Sequence, residues 1–219
     1  MPHDRPGDGS QVRADEDGLV RTFVAVWLDE PARRCVEAFV ADLRRPVERS
    51  VGAVRWVAPA QYHFTLRFLG DLDREQRARV FEAVSEACRS TARFSLRLGA
   101  LGAFPDLARP RVLWVGVEPP ADRLLMDLAG RVERALMQRG FGPADRPFAA
   151  HLTIGRVSQP PGRGRVPPDL DAWRGRAPQG GCGSTEVREV VVMASRLTPA
   201  GPIYTPLMTA PLVDGTEAP

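Results

Sequence analysis

The order of its segments constrains this chain most: several strand-like stretches follow one another directly, and only three helical stretches interrupt them. LVRTFVAVWL (19–28) has the β-branched and aromatic density of a buried strand. In PARRCVEAFVADLRR (31–45), Ala32, Cys35, Val36, Phe39, Val40 and Leu43 recur at helical spacing, with Asp29 and Pro31 as start signals. VRWV (54–57) and YHFTLRFL (62–69) read as two strands. Asp73 then opens a second helix, with Gln76 placed to complete a capping box. Strands follow at 94–104 and 111–118, and a third helix over roughly 122–139 is stopped by Gly140. HLTIGRV (151–157), EVREVVVMASRL (186–197) and IYTPLMTAPL (203–212) complete the strands. Adjacent strand pairs favour an α+β fold with antiparallel sheets over a doubly wound parallel one. Neither glycine-rich phosphate-loop pattern is present.

Composition narrows the class further. The longest unbroken apolar run, Phe23 to Leu28, is far below the roughly 20 residues that cross a bilayer. The first 18 residues contain no apolar signal segment, so the expectation is a cytoplasmic chain with no membrane partner. Three cysteines without CxxC spacing argue against a disulfide framework and against a thiolate metal site. Cys35 and Cys88 fall on helix faces expected to be buried, whereas Cys182 falls in a loop. All 30 positive side chains are arginine. Residues 1–18 carry a net −3 and the last seven −2, so residues 19–212 carry +8. Arginine's planar fork suits phosphate, although codon bias accounts for a lysine-free chain equally well.

The expected organisation is a disordered acidic tail (1–18), one domain (19–212) and a short C-terminal tail (213–219). Within the domain, residues 158–183 hold eleven Gly or Pro together with Arg163, Arg165, Arg174 and Arg176, which reads as a mobile surface loop.

The chemistry concentrates in two short segments. Apart from His3, the histidines sit in His63-Phe64-Thr65-Leu66 and His151-Leu152-Thr153-Ile154, 88 residues apart. In a strand, alternate residues share a face. His63 and Thr65 therefore lie opposite Phe64 and Leu66, and His151 and Thr153 opposite Leu152 and Ile154. A single histidine in a strand is ordinarily a packed or solvated residue. Two copies in matching context, one per half of the chain, argue against coincidence. Histidine gives or takes a proton near neutral pH, with a usual pKa of about 6.5. Two facing imidazoles can act as general base and general acid, while the hydroxyls donate to an anionic oxygen. Such a set suits in-line attack at a phosphate, and a 2′,3′-cyclic phosphodiester is a natural target. Zinc is the chemical competitor, but a catalytic zinc ordinarily takes three protein ligands, and no third is apparent. The expectation is acid–base catalysis without metal or cofactor.

These paired tetrads resemble the 2H phosphoesterase superfamily. The stretches RTFVAVWL, VRWVAPAQYHFTLRFLGDLD, LGAFPDLARPRVLWVGV, DRPFAAHLTIGRV and SRLTPAGPIYTPL are similar to the RNA 2′,3′-cyclic phosphodiesterases, also called 2′-5′ RNA ligases, across most of residues 21–207. The resemblance implies a bilobal α+β fold: two antiparallel sheets with flanking helices, related by a pseudo-two-fold axis around a central groove. It implies hydrolysis of an RNA 2′,3′-cyclic phosphate to a 2′-phosphate end, with His151 activating water and His63 protonating the departing 3′-oxygen. Thr65 and Thr153 would hold phosphate oxygens. Arg156 matches a family arginine that contacts phosphate or base. Its parity puts it off the His151 face unless a bulge or strand end brings it round. Phe23 matches an aromatic position near the nucleotide and equally fits a core residue. The expected partner is RNA with a 2′,3′-cyclic phosphate end, bound by a monomer. Action on small cyclic nucleotides or 2′-5′ oligonucleotides, and a non-catalytic RNA-binding module, are the alternatives.

Overall fold

The structure, a computed structural model, describes residues 18–158, 173, 176, 183–199 and 201–214. The acidic tail, most of the 158–183 loop with Cys182, and the end of the C-terminal tail lie outside the described residues. Among the described residues the elements are β1 (Val20–Trp27), α1 (Glu30–Val51), β2 (Val54–Trp56), a 3-10 turn (Pro59–Gln61), β3 (His63–Leu72), α2 (Arg74–Arg89), β4 (Phe94–Phe104), β5 (Val112–Val117), α3 (Ala121–Met137), β6 (His151–Val157), β7 (Ser184–Val187), β8 (Glu189–Thr198) and β9 (Gly201–Pro211).

Local signals set most boundaries. Asp29 caps α1 by accepting from the Ala32 amide at 3.0 Å, and Asp73 and Gln76 form the expected capping box of α2. Helix α1 is longer than its first stripe predicts. It runs through Pro46 to Val51, because Val47 and Val51 extend the buried row of Phe39, Val40 and Leu43. Burying that row outweighs the one hydrogen bond a proline removes. The helix ends at Gly52, whose φ of 78° a side-chain-bearing residue rarely adopts.

The strands form one antiparallel sheet in the order β7-β4-β5-β6-β3-β1-β8-β9, with β2 pairing on β6. Two halves are visible in it. In one, β1, α1 and β3 are a strand–helix–strand unit whose second strand opens on His63. In the other, β5, α3 and β6 repeat the unit and open on His151. The expected two sheets are fused: β3 and β6 meet through the pair Phe64 and Leu152. A second departure concerns residues 186–197, expected as a single strand. The ladder breaks at Arg188, so β7 pairs with β4 in one half while β8 pairs with β1 and β9 in the other. Two consecutive exposed polar residues, Arg188 and Glu189, interrupt the alternation there, and the β-branched residues on both sides are why sequence pattern alone joins the two segments.

One face of the sheet and the buried faces of all three helices share a single core containing Phe64, Leu66, Leu152 and Ile154. Each tetrad is thus anchored by its apolar residues, and its histidine and threonine are left to the opposite face. A smaller cluster on that opposite face joins Phe23, Ala25, Val191 and Met193, with Trp27 and Tyr204 packed against it. Cys35 and Cys88 are buried, and burial pushes the Cys88 thiol up to about 12. From the loop, Trp173 packs edge-on against Phe39, with ring centroids 5.5 Å apart.

Candidate active site

Registry places the two tetrads head to tail. Phe64 lies opposite Leu152 in an antiparallel pair. One step to one side therefore brings His63 beside Thr153, and one step to the other brings Thr65 beside His151. On a regular sheet the diagonal His63–His151 pair separates its Cβ atoms by about 7–8 Å. The two charges sense each other, since His151 is among the influences that lower the His63 pKa.

Each imidazole is oriented in the same way. His63 Nδ1 lies 2.7 Å from the Gln61 carbonyl oxygen, and His151 Nδ1 lies 2.7 Å from that of Ala149. A carbonyl accepts only, so both rings carry their hydrogen on Nδ1 when neutral, and Nε2 is left to the groove. His63 Nε2 is 3.0 Å from Thr65 Oγ1. Burial, first of all, lowers both histidine pKa values; the charge of His151 adds to this at His63, and that of Arg156 at His151.

Aromatic walls hold the rings. His63 sits among Phe23, Trp27 and Tyr204, with centroids at 5.2, 5.0 and 5.4 Å. Phe23 is buried beneath this cluster, which places it both in packing and against the imidazole. His151 stands edge-on to Phe104 at 5.0 Å and to Trp114 at 6.5 Å. Trp114 lies flat over Gly102, where a Cβ would come within 2.2 Å of the indole ring. Strand parity around the tetrads does not reveal these walls. Trp27 faces His63 across a ladder, and Tyr204, Phe104 and Trp114 come from strands whose pairing must be known first.

A bulge settles the position of Arg156. Trp114 pairs with Thr153 but Leu113 pairs with Gly155, so Ile154 is an extra residue in β6. The slip restores Arg156 to the His151 and Thr153 face, where its charge adds to the burial that lowers the His151 pKa and opposes the burial that raises the Tyr204 pKa. The same irregularity occurs in β3. Ala25 pairs with Thr65 and Val24 with Arg67, which leaves Leu66 extra. The bulged residue is the fourth of the tetrad in both strands. The position five after the histidine then returns to the groove face, as Phe68 in one half and Arg156 in the other.

The internal duplication appears again in comparison with known proteins. A LigT-like phosphoesterase pattern matches this chain twice, over residues 27–114 and 115–204, with one tetrad in each copy. The chain belongs to the LigT-like phosphoesterase family. The RNA 2′,3′-cyclic phosphodiesterase of Methanothermobacter thermautotrophicus is 35% identical over 186 residues, covering 85% of this chain and 95% of that protein. The protein of the same name from Archaeoglobus fulgidus is 36% identical over 185 residues, covering 84% of this chain and 96% of its own. The crystal structure of Escherichia coli LigT in apo form shares the fold with a TM-score of 0.69 and 26% identity, over 90% of this chain and 99% of that one. Membership of this family makes the chain a member of the 2H superfamily with its α+β architecture. Among the described residues, no group of three or more His, Cys, Asp or Glu side chains could hold a metal ion, and no helix is long and apolar enough to cross a membrane.

Proposed function

We propose that the groove hydrolyses RNA 2′,3′-cyclic phosphate ends to 2′-phosphate ends by paired general acid–base catalysis. One observation carries this reading: two imidazoles share one groove face, each with Nδ1 tied to the carbonyl two residues before it. Two relatives that this chain matches over more than four-fifths of its length carry the name RNA 2′,3′-cyclic phosphodiesterase, which supports the substrate class.

In this mechanism the cyclic phosphate lies between the two Nε2 atoms. His151, neutral, accepts a proton from water as the water oxygen attacks phosphorus. His63, protonated, gives its Nε2 proton to the departing 3′-oxygen as the P–O3′ bond breaks, and the phosphate stays on the 2′-oxygen. Thr65 and Thr153 donate to the non-bridging oxygens, and Arg156 balances charge that grows in the transition state. Burial holds both rings neutral in the free groove, and the bound anion favours the protonated form of His63. Every proton is accounted for by two side chains, so the mechanism needs no metal. With a 5′-hydroxyl attacking phosphorus in place of water, the same pair in the same roles supports 2′-5′ joining: His151 accepts the 5′-hydroxyl proton and His63 gives its proton to the departing 3′-oxygen.

His63→Ala and His151→Ala test the reading on a cyclic-phosphate-terminated oligonucleotide. Each is expected to lower turnover by at least roughly 10²-fold, the scale of one acid–base group. Near-normal turnover in either variant, with folding intact, contradicts the mechanism. The non-catalytic alternative requires tight RNA association without product.

A further inference from the structure

Arg55 and Arg156 are directly opposed in the β2–β6 ladder. Opposed residues of an antiparallel pair project from the same face, about 4.5–5.5 Å apart at Cβ. The neighbouring pair defines that face. A Cβ at Gly155 would touch Val54 and Trp56, which pack on the core side, so Arg55 and Arg156 lie on the groove side. Both are exposed, and neither forms an ion pair among the described residues. Like charges directly opposite one another are destabilising in a sheet. Two arginines brought onto one face by direct strand pairing are suited to share an anion, because each guanidinium presents a planar fork of donors.

The position of the pair relative to the histidines identifies the anion. Antiparallel registry puts His63 beside Thr153, and Arg156 lies beyond Thr153 in the same direction along β6. Because Ile154 is bulged, that offset is two ladder steps, about 7 Å. If the departing 3′-oxygen is at His63, the ribose occupies the His63 end of the groove. The RNA strand then leaves, in its 5′ direction, toward Arg156 and Arg55. The offset is close to one nucleotide step of an extended strand.

We propose that Arg55, which stands beside Arg156 at the end of the groove, binds the internucleotide phosphate immediately 5′ of the cyclic end, and so selects an RNA strand over a free cyclic mononucleotide. This proposal rests on the hydrolytic reading above. In it Arg55 is a specificity residue that touches substrate away from the reacting atoms.

The test uses the full chain and Arg55→Ala with two substrates: a short oligonucleotide ending in a 2′,3′-cyclic phosphate, and a 2′,3′-cyclic mononucleotide. The ratio of kcat/KM for oligonucleotide over mononucleotide is expected to fall about tenfold, the loss of one charge-assisted contact at an exposed site. An equal loss on both substrates, or an unchanged ratio, overturns the proposal. A binding arm separates this outcome from failure of the hydrolytic reading. Affinity for a 2′-phosphate-ended oligonucleotide is measured against salt concentration, with no turnover involved. Arg55→Ala is expected to reduce the slope of log affinity against log salt by about 0.7, the value for one single-strand phosphate contact. An unchanged slope overturns the proposal even if the enzyme is active. A slope reduced by Arg55→Ala, together with a wild-type chain that hydrolyses neither substrate, upholds the phosphate site and removes the hydrolytic reading.

Discussion

Gly102→Ala probes how firmly the wall behind His151 is fixed. A methyl group at that position would come within 2.2 Å of the Trp114 ring carbons, where carbon atoms ordinarily approach to about 3.5–4.0 Å. The indole must therefore retreat by about 1.5 Å or the strand must shift. Retreat is obstructed, since Phe104 stands at 5.3 Å on one side and His151 at 6.5 Å on another. Overpacking of this kind costs about 1–3 kcal/mol. For a chain of this size each kcal/mol moves the thermal midpoint by about 2–4 °C, so a fall of about 2–12 °C is expected. The ring that moves is the one against His151, and a displacement on the scale of 1 Å can cost about 10²-fold in rate. We expect kcat on a cyclic-phosphate oligonucleotide to fall by about 10- to 100-fold, measured beside a thermal melt. Adding Trp114→Leu relieves the clash, so the midpoint recovers while kcat stays low. If Gly102→Ala alone melts within a degree of wild type and keeps kcat within threefold, the wall does not position His151.

Other outcomes follow from the same geometry. Both histidine pKa values are lowered by burial, and the mechanism needs one of the rings protonated. The kcat/KM profile should therefore peak on the acid side of the usual histidine value, about 6.5, and decline as pH rises and the protonated ring is lost; a maximum well above neutrality contradicts that sign. Turnover is expected to persist in excess EDTA, and a loss restored by zinc reinstates metal chemistry. Arg67 pairs with Glu133 at 3.1 Å and donates to the Gly142 carbonyl at 2.7 Å, and its side chain is only 11% exposed. Arg67→Met leaves a partly buried carboxylate without its partner and should destabilise by about 1–3 kcal/mol after allowance for solvent at Glu133. Chemical denaturation reads this directly, and an unchanged midpoint denies the ion pair a structural role.

Much of the site was legible because strand periodicity is short and unambiguous. The tetrads needed only the period of two to put His63 with Thr65 and His151 with Thr153, and only their apolar neighbours to put them opposite a core. Arg156 was half legible. Parity said that a regular strand would misplace it, but the bulge at Ile154 depends on the partner strand β5 and leaves no local mark. The aromatic walls were not legible, because Tyr204 reaches His63 through β8 and β1, far away in sequence. Helix α1 extends past the stripe that ends at Leu43 because the burial of Val47 and Val51, beyond Pro46, is decided by tertiary packing. The junction of the two halves was not legible for a similar reason: it rests on Phe64 with Leu152 and on the short β2 with β6, pairings between segments far apart in sequence.

The division of labour between the histidines is open to one direct measurement. A cyclic substrate whose bridging 3′-oxygen is replaced by sulfur has a leaving group that departs without protonation. His63→Ala should recover most of its lost turnover on that substrate, because the acid is no longer needed. His151→Ala should stay as slow as on the oxygen substrate, because water must still be deprotonated. Recovery of His151→Ala in place of His63→Ala, or equal recovery of both, contradicts the assignment of acid and base across the groove.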